Sequence, residues 1–120
     1  MRVGVGLPST IPGVDGRLIL EWARRAEAGP FTSLGALDRI AYDNFEPFVS
    51  LAAAAGATTR IGLVTMVAIG PLRNTTLLAK QAASIHEIST PSTSLSPTIP
   101  SSAASKRWAY SPISAIPRAS

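Results

Sequence analysis

Asp38-Arg39, an acid beside a base in a loop that runs on through Tyr42 and Asp43, is the first concentration of polar chemistry in the chain. Asp38 is suited to hydrogen-bond a cofactor or substrate and Arg39 to hold a phosphate. A solvated pair between the two neighbours fits their spacing equally well. Gly4-Val5-Gly6 invites a dinucleotide reading, because glycines let backbone approach a pyrophosphate at a helix N-terminus. The fingerprint fails, since Ser9 stands where its third glycine belongs, Pro8 interrupts the turn, and no acidic residue closes a second strand about 20 residues on. Glycines for tight strand packing are the better account.

Arg73 follows Gly70-Pro71-Leu72 and comes just before a helix start, where a cation gains nothing from the helix dipole. An anion contact and a structural hydrogen bond both stay open for it. His86, the only histidine, sits beside Glu87 on a helix that packs by its apolar face, which suits an exposed or structural imidazole better than a catalytic one. Lys106-Arg107-Trp108 with Tyr110 interleaves basic and aromatic groups as single-strand nucleic-acid binders do. Without a folded platform this is no interface, and no nucleic-acid partner is expected. With no cysteine, thiol catalysis, thiolate metal sites and disulfides are excluded. No metal ligand set is expected.

These residues must be held by regular elements. Residues 2–7 form a short β-branched, glycine-containing run closed by Pro8, a buried strand leading into a loop through Gly16. Asp15 can cap a helix over residues 17–28, where Leu18, Ile19, Trp22, Ala23 and Ala26 recur at helical spacing and Gly29-Pro30 ends the run. Residues 31–37 read as a second strand. Residues 46–55 read as a helix with Pro47 in its first turn and Gly56 at its end. Residues 61–69 are the strongest strand pattern. Residues 74–88 are a third helix with Leu77, Leu78, Ala82, Ile85 and Ile88 assigned to one face. Strand and helix thus alternate three times, the pattern of a parallel sheet covered by helices, so the fold class is α/β.

The 120 residues are 46% hydrophobic, enough for one core, and only 15% charged, so small or apolar groups must cover much of the surface. Up to Ser89 there are 8 basic and 7 acidic residues, whereas the net charge of +4 comes mainly from Lys106, Arg107 and Arg118. No signal peptide and no apolar run of membrane-spanning length is evident, so no membrane partner is expected and a cytoplasmic home is the default. After Ser89 the remaining 31 residues hold 5 prolines, 9 serines, no glycine and no acidic residue. Such a segment has little to bury and is expected to be irregular. The division is therefore a folded part at 1–89 and a low-complexity Ser/Pro-rich tail at 90–120.

Taken in order, Ala36-Leu37-Asp38-Arg39, Glu46-Pro47-Phe48-Val49-Ser50-Leu51, Thr59-Arg60-Ile61-Gly62-Leu63, Pro71-Leu72-Arg73-Asn74 and Leu78-Ala79-Lys80-Gln81-Ala82-Ala83-Ser84-Ile85 closely resemble the luciferase-like monooxygenase family over about residues 1–89. The resemblance implies a (β/α)8 TIM barrel, of which this would be the first three β/α units. It further implies an oxidoreductase that uses reduced flavin mononucleotide (FMN) with oxygen, or a deazaflavin coenzyme in hydride transfer, on a small-molecule substrate. Carried over by position, Gly6-Leu7-Pro8 would form part of the pocket floor and Asp38 would lie at the cofactor or substrate mouth. Met66, Val67 and Ala68 would match a bulge with a non-proline cis peptide behind the isoalloxazine ring. No catalytic residue is assigned.

Thr75 and His86 depart from the family pattern, and Thr90-Pro91-Ser92 replaces the Gly-Gly-Arg that opens its fourth strand. The expectation is a truncated member without activity of its own, with a frame-shifted tail and self-association through the open sheet edge. The alternative is a non-enzymatic small α/β interaction module with a Ser/Pro-rich tail.

Overall fold

The structure, a computed structural model, describes residues 1–89. The tail at 90–120, with Lys106-Arg107-Trp108 and Tyr110, lies outside the described residues. Three strands, β1 (Gly4–Gly6), β2 (Ser33–Leu37) and β3 (Gly62–Val67), form one parallel sheet in the order β1-β2-β3. Helices α1 (Gly16–Ala28), α2 (Pro47–Ala57) and α3 (Thr75–Ser89) follow them in turn. The expected alternation and the α/β class are therefore present.

Alternation within the strands sorts the sheet into two faces. Val5, Leu34 and Leu63 are register partners, and Leu34, Ala36 and Leu63 are buried under the helices. They meet Ile19, Ala23 and Ala26 of α1, Phe48, Leu51, Ala54 and Ala55 of α2, and Ile85 of α3 in one core, which Leu7 and Ile61 extend at the strand ends. Gly4, Ser33 and Gly62 form a row on the opposite face, and Gly6, Gly35 and Val64 form the next. No described helix covers that second face.

The helix starts follow from their caps. The Asp15 carboxylate accepts from the Arg17 N–H at 2.9 Å, the Glu46 carboxylate from the Val49 N–H at 2.8 Å, and the Asn74 side chain from the Leu77 N–H at 3.0 Å. Each satisfies a donor that the first turn leaves open. Glu46 and Asn74 thus stand before their helices rather than inside them. Gly56, expected to end α2, lies within its last turn, and the helix closes at Thr58, whose hydroxyl donates back to the Ala54 carbonyl at 2.7 Å.

The α3 face also needs correction. Leu78, Ala82, Ile85 and Ser89 turn inward, whereas Leu77 and Ile88 are 55% and 56% exposed. Leu77 and Ile88 are eleven residues apart and so share a stripe, but that stripe is turned about 100° from the buried one, the step of one residue around a helix. The strands are shorter than expected, although their ladders run on. The Thr32 N–H donates to the Val3 carbonyl at 2.8 Å and the Leu7 N–H to the Gly35 carbonyl at 2.7 Å.

β3 leaves its expected course at Met66. Ala36 pairs with Thr65 and Leu37 with Val67, so Met66 is the extra residue of a β-bulge. The bulge expected from the family pattern is present, and the cis peptide expected with it is not: the peptide bonds of the described residues are trans. The one-residue slip itself turns the chain out of the sheet, and Ala68 and Ile69 lie beyond the strand instead of in it.

Candidate functional site

The C-terminal ends of the three strands bring together the loops after Gly6, Leu37 and Val67, the end at which parallel α/β folds gather ligands. Asp38 is the first residue beyond β2, and its backbone N–H extends the ladder to the Val67 carbonyl at 3.2 Å. Its side chain, 2% exposed, points into the β3–α3 loop. Oδ2 accepts from the Ile69 N–H at 2.9 Å and from Arg73 Nε and Nη2 at 3.1 and 2.8 Å. The remaining Arg73 nitrogen, Nη1, lies 2.7 Å from Glu46 Oε1, and the guanidinium plane sits 4.7 Å from the centre of the Phe48 ring.

One arginine therefore ties the ends of β2 and β3 to the start of α2. Burial lowers the Arg73 pKa, but hydrogen bonds and charge attraction from Asp38 and Glu46 outweigh it, so the group is held above its ordinary value and stays charged. The rigid fork of an arginine is what allows it to serve two carboxylates and one aromatic face together. For Arg73, both alternatives left by the sequence come together: its anions are the protein's own carboxylates.

The Asp38–Arg39 pair, one of the alternatives that their spacing left open, does not form. Arg39 turns outward and lies over the Tyr42 ring at 5.1 Å. Glu46 was legible only as a helix start, because nothing in its neighbourhood in sequence signals a partner 27 residues away. Its position one residue before Pro47 at a helix N-terminus was the available hint.

The other expected site residues lie around the uncovered face. Gly6 has no heavy atom within 4 Å of where a Cβ would stand, so backbone faces open space there. Gly4 is different, since a Cβ on it would run into the Ser33 hydroxyl, which makes it a packing glycine. Leu7 sends its side chain into the core and offers the face only its backbone. Met66, Val67 and Ala68 are exposed. The Met66 side chain lies across Gly35, whose Cβ would meet its Sδ at 2.6 Å. Between the loops after β1 and β2 is a cavity of about 160 Å³ lined by Ile11, Gly13, Val14, Asp43, Asn44 and Phe45. His86 is exposed on α3, on the helix-covered side of the sheet and away from this face. Among the described residues no helix is long and apolar enough to cross a membrane.

A glycine-lined sheet face, a bulge at its rim and loops pinned by an internal ion pair form a scaffold whose ligand chemistry the geometry alone leaves open. The family comparison supplies the lineage: the luciferase-like monooxygenase family matches residues 1–91. The chain belongs to this family. It is also similar to the crystal structure of the monooxygenase RslO1 from Streptomyces bottropensis, with 26% sequence identity and a TM-score of 0.65, covering 74% of this chain and 30% of that one. The luciferase-like chain thus spans under a third of that neighbour's length. No curated protein sequence matches it. At the level of the family, its lineage is that of an oxidoreductase.

Proposed function

We propose that residues 1–89 are the first three β/α units of a luciferase-like (β/α)8 barrel and supply one wall of a pocket for reduced FMN or a deazaflavin coenzyme. The observation that carries this reading is the uncovered face, where Gly6 leaves backbone bare beside the Gly35–Met66 contact and the exposed Val67-Ala68 rim. A flat ring system suits a surface with few side chains, and the bare peptide groups beside it can hydrogen-bond its polar edge. When bound, such a coenzyme supplies hydride transfer or oxygen activation. The residues' part is to hold and shield it: Gly6 and the Leu7 backbone as floor, and Met66, Val67 and Ala68 as rim. Asp38 acts through Arg73, keeping the β3–α3 loop and the start of α2 in place at the mouth. A small organic molecule would be the substrate, and the cytoplasm the place of action.

Fluorescence titration of the 120-residue chain with FMN, and separately with a deazaflavin coenzyme, tests this. Saturable quenching of one of them is the expected result. If both fluorescence signals stay unchanged at every protein concentration, the pocket reading fails. The chain is then better described as a small α/β interaction module.

A further inference from the structure

The uncovered face is not uniform along its glycine row. Gly6, Gly35 and Val64 stand side by side on it. Above Gly6 no heavy atom lies within 4 Å of a Cβ position, whereas above Gly35 that position is already taken. A Cβ on Gly35 would stand 2.6 Å from Met66 Sδ and 2.7 Å from Met66 Cγ, and the next atom, the Val64 carbonyl oxygen, would be 4.0 Å away. Gly35 is buried although it has no side chain, and Met66 is 59% exposed. The Met66 side chain therefore covers the glycine backbone and keeps much of its own surface open.

The bulge accounts for this placement. In an unbroken ladder Met66 would follow Thr65 and stand opposite Leu37, with the two side chains next to each other on the same face. Val67 takes that partner instead, and Met66 is left unpaired. An unpaired residue can lean onto the neighbouring strand where that strand offers no side chain of its own, and Gly35 is such a place. An unbranched, flexible side chain suits a flat seat of this kind. Its polarizable sulfur also makes favourable contacts with aromatic rings.

We propose that Gly35 is a positioning residue that acts through Met66: it seats the thioether flat on the sheet, and the seated sulfur is what the ring of a flavin or deazaflavin meets. The inference rests on the pocket reading above, and assigns within it one contact and the residue that sets it. Gly6 leaves room beside the sulfur, and Gly35 sets how far the sulfur stands from the sheet. A side chain as small as that of alanine in place of Gly35 pushes Met66 off its seat, away from the sheet and into the space that the ring needs. The fold itself has room for that methyl group, because the atoms it meets belong to the far part of a flexible side chain and not to backbone.

Met1 and Met66 are the two methionines of the chain, so methionine isotopically labelled at its methyl group gives two signals in a magnetic resonance spectrum. In the 120-residue wild-type chain, added FMN, or a deazaflavin coenzyme in a parallel titration, is expected to shift the Met66 methyl upfield by its ring current and to leave Met1 in place. Without ligand, Gly35→Ala is expected to move the Met66 signal while the far-UV circular dichroism stays the same. Fluorescence titration then measures the coupling. Gly35→Ala and Met66→Ala should each weaken coenzyme binding about tenfold, and Gly35→Ala should add no further loss in the Met66→Ala chain. A merely structural role would cost the same in both backgrounds. Coenzyme binding without a Met66 shift, an unmoved Met66 signal in Gly35→Ala, or additive losses would each overturn the proposal and leave the pocket reading standing. Binding of neither coenzyme overturns the pocket reading and the ring contact with it, and the ligand-free comparison still decides the seating of Met66. The wild-type shift needs no variant, so it decides the ring contact even if Gly35→Ala fails to fold.

Discussion

At the N-terminal end of the sheet the fastening group, Glu27, binds backbone, whereas at the C-terminal end the fastening groups bind one another. Glu27 Oε1 accepts from the N–H groups of Thr59 at 2.6 Å, of Arg60, and of Ile61 at 3.2 Å. Arg60 returns its guanidinium to the carbonyls of Glu27, of Phe31 at 3.2 Å and of Gly29 at 3.3 Å. This clasp joins the end of α1 to the starts of β2 and β3 and is open to water. Asp38, Arg73 and Glu46 form the opposite clasp, in which side chain meets side chain and Asp38 is shut away from solvent. The first arrangement fixes where strands begin and tolerates exchange with water. The second pins the β2–α2 and β3–α3 loops to each other with a few buried atoms and leaves their remaining surface available to a ligand. Such a division suits a fold whose strand starts serve stability and whose strand ends carry function.

The contrast is broken most severely by Asp38→Ala, which leaves the Arg73 charge buried without its main partner and the Ile69 N–H without an acceptor. A loss of about 3–5 kcal/mol is expected from urea unfolding. The double variant Asp38→Leu/Arg73→Met should recover most of that loss, because removing both members of a buried pair costs far less than removing one. Glu27→Ala removes a charged acceptor from three N–H groups, of which those of the exposed Thr59 and Arg60 can turn to water, and a smaller loss of about 1.5–3 kcal/mol is expected in the same assay. Asn74→Ala, which touches neither clasp and only uncaps α3, should cost about 1 kcal/mol. Glu21→Ala breaks the exposed pair with Arg25 and should move the midpoint by no more than about 0.5 kcal/mol. Were Glu27→Ala to prove as costly as Asp38→Ala, the two ends would not differ in the way described.

Much of the fold was legible because it rests on local signals. Asp15 before an apolar periodic run, Pro47 in a first turn, and the Pro8, Gly29-Pro30 and Gly70-Pro71 breaks after β1, α1 and β3 mark three helices and three strands at nearly the right places. Where boundaries moved, a neighbour distant in sequence was responsible. β3 stops at Val67 because Met66 bulges against β2, and Leu77 and Ile88 stay exposed because α2 meets the adjoining stripe of α3. The site was less legible for the same reason. Asp38 and Arg73 are each visible as polar residues at an element's end, but their pairing spans 35 residues and depends on β2 and β3 lying side by side. The adjacent Arg39 was the obvious partner in sequence. It was the wrong one because successive residues beyond a strand point to opposite sides.

Gly6→Phe tests the central claim most directly, since it fills the uncovered face from a position where no atom stands in the way. The wild-type chain and this variant are to be titrated with FMN, with thermal unfolding recorded on both. The account predicts that the variant unfolds at the wild-type temperature and no longer quenches the flavin. Equal flavin binding by the two chains would contradict it and move the cofactor wall away from this face of the sheet.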